Sequence, residues 1–336
     1  MTSALQLDFL DLRQFSAQHL RPLLDEESGF WSRRLRWDYR NSATLVLQYV
    51  ESHLLSGYVA MDQGRVCGYI FCVYEGHKAV IGDVFASREG IGESAATAIE
   101  SQLIDRLLDT LQQTPDLTRI EAQLLLHPHG VHQSAFERAG FHIYPRLFMM
   151  RELHPAASGP DKPTHPALSA DEIESSGVAR YRPWMASDFE LAPPVITASY
   201  GGHIDSQIND QYLSTGGAQR FLHNIVRFPG CGIFEERASW VLAPPHDQKL
   251  FGLLLCSRVS VGVGHVTQIC VPPEFQHHGV GKKLLGLAAA SLAELDCEAV
   301  TLTVTEQNTN AVGLYQRLGY QVHHRFDAML WEKNRR

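Results

Sequence analysis

Gln276-His277-His278-Gly279-Val280-Gly281-Lys282-Lys283 places two glycines and two lysines at the start of a predicted helix. Upstream, Val266-Thr267-Gln268-Ile269-Cys270-Val271 reads as a buried strand, ended by Pro272 and Pro273, neither of which can donate a ladder hydrogen bond. Downstream, Leu284, Leu285, Ala288, Leu292 and Leu295 recur at helical spacing. Strand, glycine turn and helix in that order gather the unpaired N–H groups of a helix start at the positive end of its dipole. Gly279 and Gly281 have no Cβ to keep an anion off the backbone. The stretch suits a phosphate, although an ordinary turn before a basic helix would explain two glycines as well.

Two common nucleotide motifs fail on the letters. A P-loop needs glycine five positions before its Gly-Lys pair and Ser or Thr after it, where this chain has Gln276 and Lys283. The dinucleotide fingerprint needs a third glycine where Leu284 stands. A second block, Val304-Thr305-Glu306-Gln307-Asn308-Thr309-Asn310-Ala311-Val312-Gly313-Leu314-Tyr315-Gln316-Arg317-Leu318-Gly319-Tyr320, reads as strand, cap, short helix and stop. Thr301, Leu302, Thr303 and Val304 form a β-rich run, Asn308 or Thr309 can cap the helix, and Gly319 suits the position after its end.

The Gln-x-x-Gly-x-Gly loop resembles the coenzyme A pyrophosphate loop of the GNAT acyltransferase superfamily. The second block resembles that family's following strand and helix: Asn308, Ala311, Leu314-Tyr315 and Gly319-Tyr320 fill its Asn, Ala, Leu-Tyr and Gly-aromatic positions. The resemblance implies an α/β (mixed α+β) fold with a central mixed, mostly antiparallel sheet flanked by helices. It also implies acetyl-CoA as co-substrate, without a metal.

The 336 residues, 44% hydrophobic and 20% charged, suffice for two buried cores. A net charge of −8 argues against broad nucleic-acid or anionic-membrane binding, while leaving room for a local cationic pocket at Lys282 and Lys283. Cys67, Cys72, Cys231, Cys256, Cys270 and Cys297 lie in apolar runs with no C-x-x-C pair, so buried reduced thiols are expected, as suits a cytoplasmic protein. Asp8, Asp11 and Arg13 interrupt the apolar start, which therefore lacks a secretion-signal core. No run reaches membrane-spanning length.

Between Leu153 and Arg180 the composition turns rich in Pro, Ser and Gly, which marks a linker over 154–178. The flanks resemble one another. Val66-Cys67-Gly68-Tyr69-Ile70-Phe71-Cys72 matches Leu250-Phe251-Gly252-Leu253-Leu254-Leu255-Cys256, and Phe136-Glu137-Arg138-Ala139-Gly140-Phe141 matches Tyr315-Gln316-Arg317-Leu318-Gly319-Tyr320, at offsets of 184 and 179 residues. A near-constant shift indicates a duplicated domain, hence two tandem GNAT folds: a degenerate copy over 1–153 and an intact one over 179–336. That layout is similar to the mycothiol synthase family, with no substrate-contact motif to carry its specificity over. In the first copy the loop is Ser87-Arg88-Glu89-Gly90-Ile91-Gly92-Glu93, so Glu93 replaces Lys282 and an acid opposes the anion. Phe136 stands where Tyr315 does and cannot give a proton.

For the second copy the resemblance implies a crevice where the strand ending near Val271 splays from the strand at 302–304. Pantetheine would pair with the backbone of Ile269, Cys270 and Val271. The pyrophosphate would lie on Gln276, His277, His278, Gly279, Val280, Gly281 and Lys282, and Asn308 joins the coenzyme-binding set. Tyr315 occupies the family's acid position, suited to protonating the leaving thiolate. His265, near the strand's beginning, is the candidate base, with Glu306 or a water chain in reserve. The expected activity is direct transfer of an acetyl group, within a ternary complex, to a primary amine of a small polar acceptor, with no nucleic-acid or membrane partner. A non-catalytic acyl-CoA sensor is the competing class, and the oligomeric state is open.

Three further features are weighed. His127-Pro128-His129-Gly130-Val131-His132 replaces the Glu306-to-Asn310 loop of the other copy and has no acidic or thiol residue beside it in sequence, so a solvated loop is expected. Cys231 lies in a Pro-Gly-Cys-Gly turn without an assignable His-Asp pair, against a cysteine hydrolase. Gly201-Gly202-His203 through Asp205, Asn209, Asp210 and Tyr212 is expected to cover the acceptor.

Overall fold

The computed structural model describes residues 7–153, 178–227, 231–246 and 248–333, so the expected linker lies almost wholly outside the described residues. It divides into two compact units, Met1–Arg146 with His324–Arg336, and Leu147–His323. These are not contiguous in sequence. The last strand, Gln321–Glu332, runs mostly in the first unit, and the end of His142–Glu152 runs in the second. A strand joins the sheet whose edge its backbone and apolar face fit, so the units differ from a division at residues 153 and 179.

In the first unit, Leu7–Asp11, Ser56–Asp62, Arg65–Glu75 and Lys78–Ala86 form an antiparallel run. Arg119–Gln123 then adds in parallel to Lys78–Ala86, with Ile81 paired to Ala122 at the end of that ladder. The final strand closes this sheet antiparallel, from Ala328 opposite Gln123 to Glu332 opposite Arg119. Gly92–Gln113 lays Ile99, Leu103, Leu107 and Leu111 onto Ile70, Ile81, Ile120 and Met329. This apolar stripe at helical spacing holds the helix to the sheet.

The second unit's sheet runs in the order His142–Glu152, Ala299–Thr305, Val263–Cys270, Gly252–Ser260, Trp240–Ala243, Arg180–Pro183, with Ile233–Phe234 on Gly252–Ser260. Successive residues of Gly252–Ser260 face opposite sides: Leu254 and Cys256 meet Leu284, Leu285, Ala288 and Leu292, whereas Leu253 and Leu255 meet Ile196, Leu222 and Ile225. Helix Val280–Glu294 covers the first face and helices Ala192–Tyr200 and Thr215–Arg227 the second. A Cβ on Gly264 would come within 2.5 Å of Leu292, so the helix sits against a strand position with no side chain. Asp188 accepts two 2.7 Å bonds from the Arg182 guanidinium and one of 2.8 Å from Met185 N, fixing the chain where it enters this unit. Among the described residues no helix is long and apolar enough to cross a membrane. Cys72, Cys256, Cys270 and Cys297 are buried and free as expected; Cys67 is half-buried, and Cys231 is exposed, contrary to expectation.

Helix Ala17–Leu35 carries a buried acid, Glu27, which accepts from Tyr69 Oη at 2.5 Å and Trp31 Nε1 at 3.2 Å. Burial, reinforced by the neighbouring Asp83 carboxyl, raises Glu27 well above the usual carboxylate range. Asp83 is itself pushed up, by burial first, to about 6. A carboxyl raised in the folded state stabilises below its unfolded value and loses that contribution as pH rises. The Tm of Glu27→Gln should therefore gain on that of the wild type between about pH 4 and pH 6, with a slope of up to about 1.4 kcal/mol per pH unit for one proton. Thermal melting at stepped pH checks this, and a constant difference would contradict it.

Candidate functional site

The site starts from a ladder that stops. Val263–Cys270 pairs in parallel with Ala299–Thr305 from Val263 opposite Ala299 to Val266 opposite Leu302, and both strands run on beyond. Opposite Gly252–Ser260 the register shifts, so that Leu255 faces Gln268 while Cys256 faces Val266 and Thr267 is the extra residue of a β-bulge. The bulge bends Val263–Cys270 where its parallel partner is left behind, which agrees with the splay expected at 302–304. Ile269, Cys270 and Val271 lie on this free-running end.

The loop follows. Pro273–Phe275 makes one 3₁₀ turn, and Gln276 Nε2 donates to Val271 O at 2.9 Å, tying loop to strand. His277 is left-handed at φ 65, and Gly279 caps the helix at φ 78. The latter conformation is open to glycine and costs other residues roughly 1–2 kcal/mol. Lys283 N bonds Gly279 O at 3.0 Å, closing the first helical turn. Gln276, His277, His278 and Lys282 are exposed around it, and Val280 is buried beneath. A Cβ on Gly281 would lie 3.8 Å from Leu314, 3.9 Å from Ile269 and 4.0 Å from Val271. The helix start, the strand end and the Thr309–Arg317 helix thus converge at one place.

Tyr315, 6% exposed, lies on that last helix with its ring 5.9 Å from Tyr320. Burial raises its hydroxyl above the ordinary phenol value, with Asp205 and Cys270 adding to the effect. His265, also 6% exposed, sits in the paired part of its strand, stacked 6.0 Å from Phe148. Its Nδ1 is 2.8 Å from Thr301 Oγ1, whose hydroxyl donates to Gly264 O. The imidazole is thus held through Nδ1 by Thr301. Asn308 does cap its helix, accepting from Ala311 N at 3.2 Å, and its Nδ2 stands 3.0 Å from His203 Nε2. Glu306 is partly exposed in the turn between strand and helix.

The sequence gives His203 and Asp205 no chemical role beyond a cover, yet both belong to this neighbourhood. Helix Ile204–Ile208 starts at His203, and Thr305 Oγ1 donates to Asp205 Oδ1. Tyr200, stacked 4.1 Å from Tyr212 and edge-on to His203 at 5.1 Å, lines the same segment. The polar residues of 201–212 signalled a cover; that they bond to Asn308 and Thr305 is a long-range fact no local pattern carries.

In the first unit the corresponding loop is closed by its own charges. Arg88 reaches Glu93 at 3.3 Å and Glu100 at 2.5 Å, and its guanidinium lies over Phe30 and Phe85. The His127 to His132 segment departs from expectation. His127 and His132 are each 4% exposed, not solvated, and Glu100 from Gly92–Gln113 provides the acidic neighbour missing from the local sequence. The signal was a charged residue on the apolar stripe of that helix, one position after Ile99 and three before Leu103.

A parted parallel pair beside a glycine-capped helix start defines an acyl-coenzyme A type of fold. The acetyltransferase (GNAT) family model matches residues 212–320. Over 87 residues the chain is 31% identical to the peptidyl-lysine N-acetyltransferase YjaB of Salmonella typhimurium, covering 26% of this chain and 52% of that protein. Over 58 residues it is 38% identical to the spermine/spermidine N(1)-acetyltransferase of Bacillus subtilis, covering 17% and 38%. The chain thus spans about half or less of the curated relatives it matches. In fold it is similar to a tandem GNAT protein from the clavulanic acid biosynthesis pathway, at TM-score 0.55 and 15% identity, over 97% of this chain and 98% of that one.

The two loop glycines separate in a melting experiment. Gly279→Ala should cost about 1 kcal/mol and lower Tm, because φ is left-handed there. Gly281→Ala has room and gains helix propensity, so its Tm should hold or rise by up to about 1 kcal/mol of stability.

Proposed function

We propose that the second unit transfers an acetyl group from acetyl-CoA to a primary amine of a small polar acceptor, by direct attack in a ternary complex. The observation that carries this reading is the ladder ending at Val266 and Leu302 beside the Gly279-capped helix. An added strand-like ligand can pair with the backbone of Ile269, Cys270 and Val271 where the sheet has opened. Its diphosphate meets Gln276, His277, His278, Gly279, Val280, Gly281 and Lys282, where backbone N–H groups, the dipole and a lysine all favour an anion. Asn308 holds the edge of the opening next to His203. The curated relatives are named for peptidyl lysine and for spermine or spermidine, and an amine is common to both.

Two protons move: one leaves the attacking ammonium, one reaches the departing thiolate. Tyr315 is the acid. Its raised hydroxyl stays protonated at neutral pH, and it lies close enough to Cys270 and Asp205 to feel both. His265 is the base, acting through Nε2, with Thr301 holding Nδ1. A strand N–H beside the thioester supplies the oxyanion donor.

A thiol-release assay with acetyl-CoA and a panel of polyamines, aminoglycosides, amino acids and lysine peptides tests this against a non-catalytic acyl-CoA sensor, which would bind and release no thiol. Tyr315→Phe should lower kcat by about 10²-fold with little change in acetyl-CoA affinity. Unchanged turnover removes the acid assigned here. In calorimetry Lys282→Glu and Gly281→Ala should both weaken coenzyme A binding, and an unchanged affinity in both would displace the diphosphate from this loop.

A further inference from the structure

The first unit contains a cluster that acetyl transfer does not use. Glu100 (0% exposed), His127 and His132 (4% each) meet in its interior. The Glu100 carboxylate is divided. Oε1 accepts from Arg88 Nη1 at 2.5 Å and Ala86 N at 3.0 Å, whereas Oε2 is buried with no hydrogen-bond partner. An orphaned buried carboxylate oxygen is rare and calls for a cation.

Two imidazole nitrogens face that oxygen. His132 Nε2 is 3.3 Å from it and His127 Nδ1 is 3.7 Å, and the two nitrogens are 3.2 Å apart. His127 Nε2 lies 2.8 Å from Val84 O, which can only accept, so Nε2 holds the proton and Nδ1 turns its lone pair inward. His132 Nδ1 lies 3.5 Å from Ser101 Oγ, which can accept its proton, and in that tautomer Nε2 turns a lone pair inward. One ligand atom from each of Glu100, His127 and His132 thus faces the same point, and with His132 in that tautomer a cation there would take an electron pair from all three. Tetrahedral zinc bonds of about 2.0–2.1 Å set ligand atoms roughly 3.3–3.4 Å apart, close to the three distances found.

We propose that Glu100, His127 and His132 form a three-ligand site for a divalent transition ion, with zinc favoured by two imidazoles and one carboxylate. Val84 O orients His127 as an outer hydrogen-bond partner orients a ligating histidine. The loop bearing both histidines is pinned by Asp327, which takes a 2.6 Å contact from His129 Nδ1 and a 2.8 Å bond from Gly130 N. A small cavity bordered by Leu124, His127, His132, Gln133, Asp327 and Met329 adjoins the two histidines. Val84 lies past the end of the first unit's parallel ladder, at Ile81 and Ala122, so His127 occupies the strand edge that the second unit leaves open.

The full chain, stripped with a chelator and titrated with Zn²⁺ against a chelating indicator, should bind one equivalent, and Tm should rise to a plateau at that ratio. Co²⁺ should give the visible spectrum of a tetrahedral nitrogen and oxygen site, and zinc X-ray absorption should show two imidazoles in the first shell. His132→Asn and Glu100→Gln should lose the equivalent and the Tm gain, whereas His53→Asn, on a remote turn, should keep both. No tight equivalent in the wild type, or an absorption spectrum without two imidazoles, would overturn the site whether or not the variants fold.

Discussion

The controlling constraint is the demand of the backbone for hydrogen-bond partners at the point where two parallel strands part. In the second unit Val263–Cys270 and Ala299–Thr305 stay together only to Val266 and Leu302. The Thr267 bulge, the prolines that end the strand, and the glycine-capped helix all lie within a few residues of that point. Backbone groups beyond the last rung must find water, a side chain or a ligand. The second unit sets them beside a glycine-capped helix start, where backbone N–H groups favour an anion.

The first unit meets the same constraint from within. Its parallel pair stops at Ile81 and Ala122, and the carbonyl of Val84 just beyond is met by the ring of His127. Its glycine loop carries Arg88, neutralised by Glu93 and Glu100.

Local chemistry was legible in the letters, and spatial chemistry was not. The Gln276 loop, the Val280–Glu294 helix and the Asn308 cap follow from residues within a few positions of one another, and each was readable as such. Which strand completes which sheet could not be read, because Gln321–Glu332 would pair by pattern with any antiparallel edge. Glu100 and the two histidines are separated by 27 and 32 residues, so no spacing rule could join them.

The final strand has a consequence for biosynthesis. Asp327, which anchors the His129 loop, and Met329, which shares a core with Ile120, come after the strands of the second unit in sequence. A nascent chain leaving the ribosome therefore carries the first unit's sheet with a bare edge until Gln321–Glu332 has been made, and that edge is open to aberrant pairing for as long. A gene cut between the two copies would take Leu147–Leu153 from one product and His324–Glu332 from the other, so the duplicated halves are no longer separable as independent cassettes.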